Sequence, residues 1–162
     1  MNDERHERRV EFHVNGELVS IVVEDRMLVS DLLRDRLGLR GTRVGCEQGV
    51  CGACTILVDA RTRRSCLMFA PQLQGLEVWT IEGLDQTQEG MHPIQQAFRR
   101  HHALQCGFCT AGFVLTSLEL LRARSELTED EVREYLSGNI CRCTGYQGIC
   151  DAVLEVDKEW ER

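Results

Sequence analysis

Three cysteines in a glycine-containing loop are the residues of this chain most able to do chemistry. Cys46, Cys51 and Cys54 form a C-x4-C-x2-C run, and Cys66 follows after about the length of one strand and turn. This spacing is typical of a [2Fe–2S] cluster of the plant type. Thiolate suits iron because it is a soft, anionic ligand. A four-cysteine zinc site is the alternative, but zinc ligands usually come as two pairs.

Glycines in the same loop fit such a site. Gly45, Gly49 and Gly52 let the backbone fold tightly and bring N–H groups close to the sulfurs of a small inorganic core.

Four further cysteines form a second candidate metal site. Two lie in Cys106-Gly-Phe-Cys109 and two in Cys141-Arg-Cys143. Taken alone, this set is as compatible with zinc as with iron–sulfur, although a C-x-C pair is unusual for zinc. The presence of the first set favours a second [2Fe–2S] cluster.

The remaining reactive side chains are interpreted as structural. Cys150 lies beside an apolar helical stripe and is expected to pack as a small hydrophobic residue. Three histidines are expected on a solvated helix face: His92, His101 and His102. Glu129 to Glu131 fall in the first turn of a predicted helix, where negative charge is favoured. The sequence has no phosphate-binding loop, dinucleotide fingerprint or nucleophile elbow, so we predict an electron carrier without a catalytic residue or substrate site.

The first half of the chain is predicted to be a sheet packed by one helix. Alternating apolar residues predict strands over 9–14 and 18–23, joined by the hairpin signal Asn15-Gly16. Leucines predict a helix over 29–37, with Gly38 as its cap. Further strands are predicted at 55–58, 64–68 and 78–81. These elements indicate an α+β fold.

The second half is predicted to be a small helical bundle. Pro93 opens the first helix, the second covers 110–124, and a capping box at Thr128 to Glu131 opens the third, which runs through Leu136. The fourth carries apolar residues at helical spacing: Ile149, Val153, Val156 and Trp160. The polar segment around 83–90 predicts two domains, 1–83 and 84–162.

Composition narrows the class of protein. The chain has 162 residues, of which 43% are hydrophobic, and a formal charge of −7, which argues against a nucleic-acid-binding face. No apolar run is long enough for a membrane span, and no apolar stretch follows the first residues as a signal peptide requires. Nine cysteines without these signals indicate a reducing compartment, so we expect a cytoplasmic protein whose thiols bind metal.

Five motifs together resemble one family. They are Gly45-Cys-Glu-Gln-Gly-Val-Cys-Gly-Ala-Cys-Thr55, Arg64-Ser-Cys66, Thr80-Ile-Glu-Gly83, Gln105-Cys-Gly-Phe-Cys-Thr110 and Gly138-Asn-Ile-Cys-Arg-Cys-Thr-Gly-Tyr146. The chain resembles the small iron–sulfur subunit of the xanthine oxidase family of molybdenum hydroxylases. The motifs run through nearly the whole chain, and the last two are highly specific.

The resemblance implies a β-grasp, ferredoxin-like domain followed by a four-helix domain, each with one [2Fe–2S] cluster. Cys46, Cys51, Cys54 and Cys66 would hold the first cluster, and Cys106, Cys109, Cys141 and Cys143 the second. In this family, substrate is hydroxylated with oxygen from water at a molybdopterin centre in a large subunit. Electrons then pass through the helical-domain cluster and the ferredoxin-type cluster to FAD in a medium subunit.

The resemblance also carries roles and partners to this chain. Gln105 and Cys143 match positions that contact the pterin. The implied assembly is a dimer of heterotrimers. Ala111 replaces a common proline, and Asp59-Ala60 replaces a common Asp-Gly, which suggests a different turn type. A free-standing two-cluster ferredoxin that carries electrons by diffusion is the alternative function, and a zinc-dependent interaction module is a third.

Overall fold

The computed structural model describes residues 6–86 and 90–159. Within these ranges the first half contains five strands: β1 Glu7–Val14, β2 Glu17–Glu24, β3 Thr55–Val58, β4 Arg61–Arg64 and β5 Glu77–Trp79. They form one mixed sheet of order β2-β1-β5-β3-β4. The central pair β1 and β5 is parallel, and the other pairs are antiparallel. The α+β prediction is confirmed.

Two tight turns join the outer strand pairs. Asn15 and Gly16 both have positive φ, 52° and 84°, as a type I′ hairpin turn requires. Asp59 and Ala60 also both have positive φ, 47° and 62°. The expectation of a different turn type at Asp59-Ala60 is therefore wrong: Ala60 adopts the left-handed conformation that glycine favours.

The helix predicted over 29–37 is present but irregular. It begins as α1, Val29–Asp31, and continues as a wider π-helical turn, Leu32–Arg36, in which the Leu37 N–H donates to the Leu32 carbonyl. Leu32 and Leu33 are both fully buried. The wider turn accommodates two consecutive leucines that pack against the sheet core, which includes Phe12, Ile56 and Val78.

Two predicted strands end differently in the structure. The observed strand β4 ends at residue 64, where the strand predicted at 64–68 should begin, because Ser65–Leu67 forms a 3-10 turn. Ser65 donates to the Cys54 carbonyl from both its N–H and its hydroxyl, which bends the chain back toward the cysteine loop. The last strand stops at Trp79, and a 3-10 segment follows, Ile81–Gln86.

The second half contains four helices within the described residues. They are α2 Pro93–Arg100, α3 Thr110–Ala123, α4 Glu129–Leu136 and α5 Gln147–Glu159. Helix α3 is central: its residues from Gly112 to Leu121 are all buried. Trp160, which was expected in the last helix, lies outside the described residues. None of the described helices is long and apolar enough to cross a membrane.

The two halves have separate cores that meet along one seam. Leu57 of β3 and Leu84 pack into the helical core, and Trp79 lies against it. Glu119 of α3 is buried at this seam, where its carboxylate accepts a hydrogen bond of 2.6 Å from the Thr62 hydroxyl of β4.

Candidate metal centres

The loop between α1 and β3 carries three of the first four thiols. Cys54 and Cys66 are buried, whereas Cys46 and Cys51 are half-buried. The hydrogen bonds from Ser65 to the Cys54 carbonyl, 2.8 and 3.3 Å long, hold Cys66 beside Cys54. Burial first, and the neighbouring Cys54 thiol second, raise the pKa of Cys66 to about 11.

Backbone N–H groups point at the first thiol of this loop. The N–H groups of Cys51 and Gln48 both donate to Sγ of Cys46 at 3.4 Å. These bonds lower the pKa of Cys46 to about 7, because they stabilise the anionic sulfur. The loop thus supplies donors to a sulfur that would carry negative charge as a metal ligand.

Two glycines of this loop are required by packing as well as by conformation. Gly49 has φ +76°, and a Cβ placed there would lie 2.4 Å from Cδ1 of Leu67. Gly52 has φ +72°, and a Cβ there would lie 2.7 Å from the Gly138 carbonyl oxygen. The cysteine loop is therefore pressed against both its own domain and the helical part.

The second four thiols lie on two loops that meet at one end of the helices. Cys106 and Cys109 connect α2 to α3, and Cys141 and Cys143 connect α4 to α5. Sγ of Cys106 and Sγ of Cys143 are 3.7 Å apart, and both residues are exposed. Burial, followed by the adjacent Cys141 thiol, raises the pKa of Cys109 to about 12.

Cys141 is the counterpart of Cys46 in the second set. Its Sγ accepts hydrogen bonds from the N–H groups of Cys143 and Thr144 at 3.4 Å and from the Thr144 hydroxyl at 3.2 Å. Burial opposes ionisation of this thiol, but these donors outweigh it and lower its pKa. Each thiol set therefore contains one sulfur held by several donors.

The two residues predicted to contact a pterin lie together on the surface. Nε2 of Gln105 donates to the carbonyl oxygen of Cys143 at 3.0 Å, and both residues are exposed. The contact connects the two cysteine loops. The pterin role of both residues stays a prediction.

All nine cysteines are free thiols, and their chemistry fits the predicted clusters. Each set offers four sulfur ligands, which is the donor set of a plant-type [2Fe–2S] cluster. Within 6–86 and 90–159, no three His, Cys, Asp or Glu side chains converge as the ligands of one ion. A two-iron cluster does not need three ligands at one ion, because each of its irons takes two of the four thiolates. The assignment of each cysteine as a ligand stays a prediction.

The side chains interpreted as structural make local contacts. Cys150 is 2% exposed and belongs to the helical core. Nδ1 of His92 accepts from the Ile94 N–H at the start of α2, and Nε2 of His101 lies 2.5 Å from Glu155. These two histidines are half-buried, whereas His102 is exposed, so a fully solvated position is confirmed for His102 alone among the three. The side chain of Glu131 completes the capping box with Thr128.

The sequence pattern missed the residues that join the two thiol loops. The Ile140 N–H donates to the Cys51 carbonyl at 2.9 Å, and Nδ2 of Asn139 donates to the Gly52 carbonyl at 3.2 Å. The Arg64 guanidinium bridges the Thr55 hydroxyl and the Gly138 carbonyl. Asn139 and Arg64 lie within the quoted motifs, but nothing in a linear pattern shows that they meet.

Comparisons with known proteins agree with this geometry. A family model described as a 2Fe-2S iron-sulfur cluster binding domain matches residues 12–76, and one described as a [2Fe-2S] binding domain matches residues 80–154. The chain is 51% identical over 146 residues to the nicotine 6-hydroxylase small subunit of Paenarthrobacter nicotinovorans, with 90% of this chain and 87% of that protein covered. It is 47% identical over 152 residues to caffeine dehydrogenase subunit gamma of Pseudomonas sp. strain CBB1, with 91% and 90% covered.

A solved structure has the same fold. The crystal structure of quinoline 2-oxidoreductase from Pseudomonas putida 86 contains a chain that matches with a TM-score of 0.89 and 48% identity, over 97% of this chain and 99% of that chain. The fold and the two thiol sets thus define a protein with two [2Fe–2S] domains. The chain belongs to the iron–sulfur subunits of the xanthine oxidase family of molybdenum hydroxylases. Its role is electron transfer within an oxidoreductase complex, and the comparisons give no support to a free-standing ferredoxin.

Proposed function

We propose that this chain carries electrons from a molybdopterin centre in a large subunit to FAD in a medium subunit. The cluster held by Cys106, Cys109, Cys141 and Cys143 receives them, and the cluster held by Cys46, Cys51, Cys54 and Cys66 passes them on. The chain itself selects no substrate. Its assembly would be a dimer of heterotrimers in the cytoplasm, and its two domains would meet at residues 83 and 84.

One observation carries the direction of this path. Gln105 and Cys143, whose positions match pterin contacts, are bonded at 3.0 Å on the exposed side of the second thiol set. The exposed residues beside the first set include the polar Glu47 and Gln48 and the apolar side chains of Val50 and Leu67, 58% and 57% exposed. The second set therefore fits the electron-receiving end. The apolar surface beside the first set fits contact with another subunit.

The experiment begins with the native complex. Affinity purification through this chain should bring down two larger chains at fixed stoichiometry. The small subunit should contain about four irons and four acid-labile sulfides, with two distinguishable EPR signals on reduction. A stable, active monomer would instead support a diffusible ferredoxin. A colourless, redox-inert protein with bound zinc would support an interaction module.

Two ligand variants test the order of transfer. Cys109→Ser should damage the second cluster and block transfer from substrate to every acceptor. Cys51→Ser should leave reduction of the second cluster by substrate intact and block the onward step. If substrate reduced the second cluster equally well in both variants, the proposed order would be wrong.

A further inference from the structure

The ring of Phe108 lies at the junction of the two thiol sets. Phe108 belongs to the second cysteine loop, between Cys106 and Cys109. A Cβ built on Gly45 would lie 3.2 Å from Cε1 of Phe108 and 3.3 Å from Sγ of Cys51. The ring edge and the Cys51 sulfur therefore face the same narrow gap, although the sulfur belongs to the first set.

The Phe108 ring is partly exposed at this gap. Phe108 is 45% exposed, so part of its ring is in solvent, while its Cε1 edge faces Gly45 and Cys51. The backbone at Cys51 is held beside it by the hydrogen bond from the Ile140 N–H to the Cys51 carbonyl. Cys51 is itself half-buried. The Phe108 ring, which belongs to the other domain, therefore contributes to the cover over the Cys51 sulfur.

We infer that Phe108 is a positioning residue that keeps water away from Cys51 and thereby lowers the reduction potential of the first cluster. The inference rests on the proposed function, since it requires both clusters. A reduced cluster carries one more negative charge than the oxidised cluster, so water and hydrogen bonds near its sulfurs stabilise the reduced state. Excluding water from the first cluster therefore disfavours its reduction, and a residue of the second cysteine loop contributes to the potential difference between the clusters.

The test is an EPR-monitored redox titration of the full-length chain, purified with the chains that accompany it. The signal of each cluster is first assigned with Cys51→Ser and Cys109→Ser. Phe108→Ala should then move the midpoint potential of the first cluster to a more positive value. Phe108→Leu, which retains an apolar cover, should give a smaller shift in the same direction.

A rescue variant and a matched control make the test specific. In Gly45→Ala/Phe108→Ala, the added methyl group would lie 3.3 Å from Sγ of Cys51 and should bring the potential partly back toward the wild-type value. Phe69 is the matched control, because it is 47% exposed and only three residues from Cys66. Phe69→Ala should leave the first-cluster potential unchanged.

The outcomes separate this inference from the proposed function. A wild-type protein without two [2Fe–2S] signals would refute the proposed function. Two signals with an unchanged first-cluster potential in Phe108→Ala, or an equal shift in Phe69→Ala, would overturn only the role of Phe108. If Phe108→Ala lost the second cluster, the first-cluster midpoint would remain measurable, because its four ligands lie outside that loop.

Discussion

The backbone N–H of Ile140 donates to the carbonyl of Cys51 at 2.9 Å. Ile140 directly precedes Cys141, so one hydrogen bond joins a ligand position of the first proposed cluster to the residue before a ligand position of the second. Asn139 reinforces the link by donating to the Gly52 carbonyl, and its own oxygen accepts from the Thr116 hydroxyl at 3.1 Å. The two cysteine loops therefore form one hydrogen-bonded unit.

The two cysteine loops and helix α3 pack so closely that a methyl group added at Gly112 should destabilise the protein. Gly112 lies in the first turn of α3, where alanine would favour the helix by about 1 kcal/mol. A Cβ at this position, however, would lie 2.2 Å from the Gly52 carbonyl oxygen. Gly112→Ala should therefore lower the free energy of unfolding by about 1–3 kcal/mol, as overpacking does. Denaturant unfolding measures the change in the free energy of unfolding. A variant more stable than the wild type would show that the backbone around Gly52 moves aside at little cost.

The hydroxyl of Thr144 is expected to tune the second cluster. It donates to Sγ of Cys141 at 3.2 Å, and hydrogen bonds to cluster sulfurs favour the reduced state. Thr144→Val should shift the midpoint potential of the second cluster to a more negative value and leave the first cluster unchanged. Thr144→Ser, which keeps the donor, should behave like the wild type in the same redox titration. Equal shifts in both variants would contradict a role for the hydroxyl.

Tyr135 should make the stability of the protein fall at high pH. Burial, and next its interaction with Glu119, raise the pKa of Tyr135 to about 12, whereas an unfolded tyrosine titrates near pH ~10. Between these values the native state keeps a proton that the unfolded state has lost. The free energy of unfolding should therefore decrease as pH rises through this window.

Tyr135→Phe isolates this contribution, because the variant lacks the titrating hydroxyl but keeps the ring. The stability difference between wild type and Tyr135→Phe, measured at several pH values, should shrink as pH rises from about 10 to about 12. The ultraviolet absorbance of tyrosinate in the wild type, after subtraction of that in Tyr135→Phe, gives the pKa of Tyr135. A difference that is constant with pH would refute the raised pKa of Tyr135.

The backbone of Ala60 has a left-handed conformation, so replacing this residue with glycine should stabilise the protein. Ala60 has φ 62°, a conformation that costs an L-residue about 1–2 kcal/mol. Ala60→Gly relieves this strain but gives the unfolded chain more freedom, which offsets about 0.4–1 kcal/mol. The net gain should be about 0.5–1 kcal/mol in thermal or denaturant unfolding. Ala123→Gly, at the exposed end of α3, makes the same exchange in helical backbone and should not stabilise the protein.

The sequence was sufficient for features that depend on neighbouring residues. The cysteine spacings, the hairpin at Asn15-Gly16 and the capping box at Thr128 all act over a few positions, so their local consequences could be predicted. The position of the helix after Val29 was predicted, but its wider π-helical turn was not. That turn goes with burial of both Leu32 and Leu33, which depends on the sheet beneath them.

Contacts between distant residues could not be predicted in this way. The strand expected at 64–68 gives way to a turn because Ser65 is held by Cys54, eleven residues earlier. The gap shared by Phe108, Gly45 and Cys51 also exists only once the two halves have packed. The spacing of cysteines indicates which metal is bound, whereas the contacts that control its environment depend on the tertiary fold.

The hydrogen bond between Asn139 and Gly52 spans 87 positions of the chain, which has a consequence for biosynthesis. The sheet and the first cysteine loop are made long before Asn139 and Ile140 leave the ribosome. Until then the carbonyls of Cys51 and Gly52 lack their partners from the helical half. The first cysteine loop therefore gains these two hydrogen bonds only after synthesis has passed Ile140.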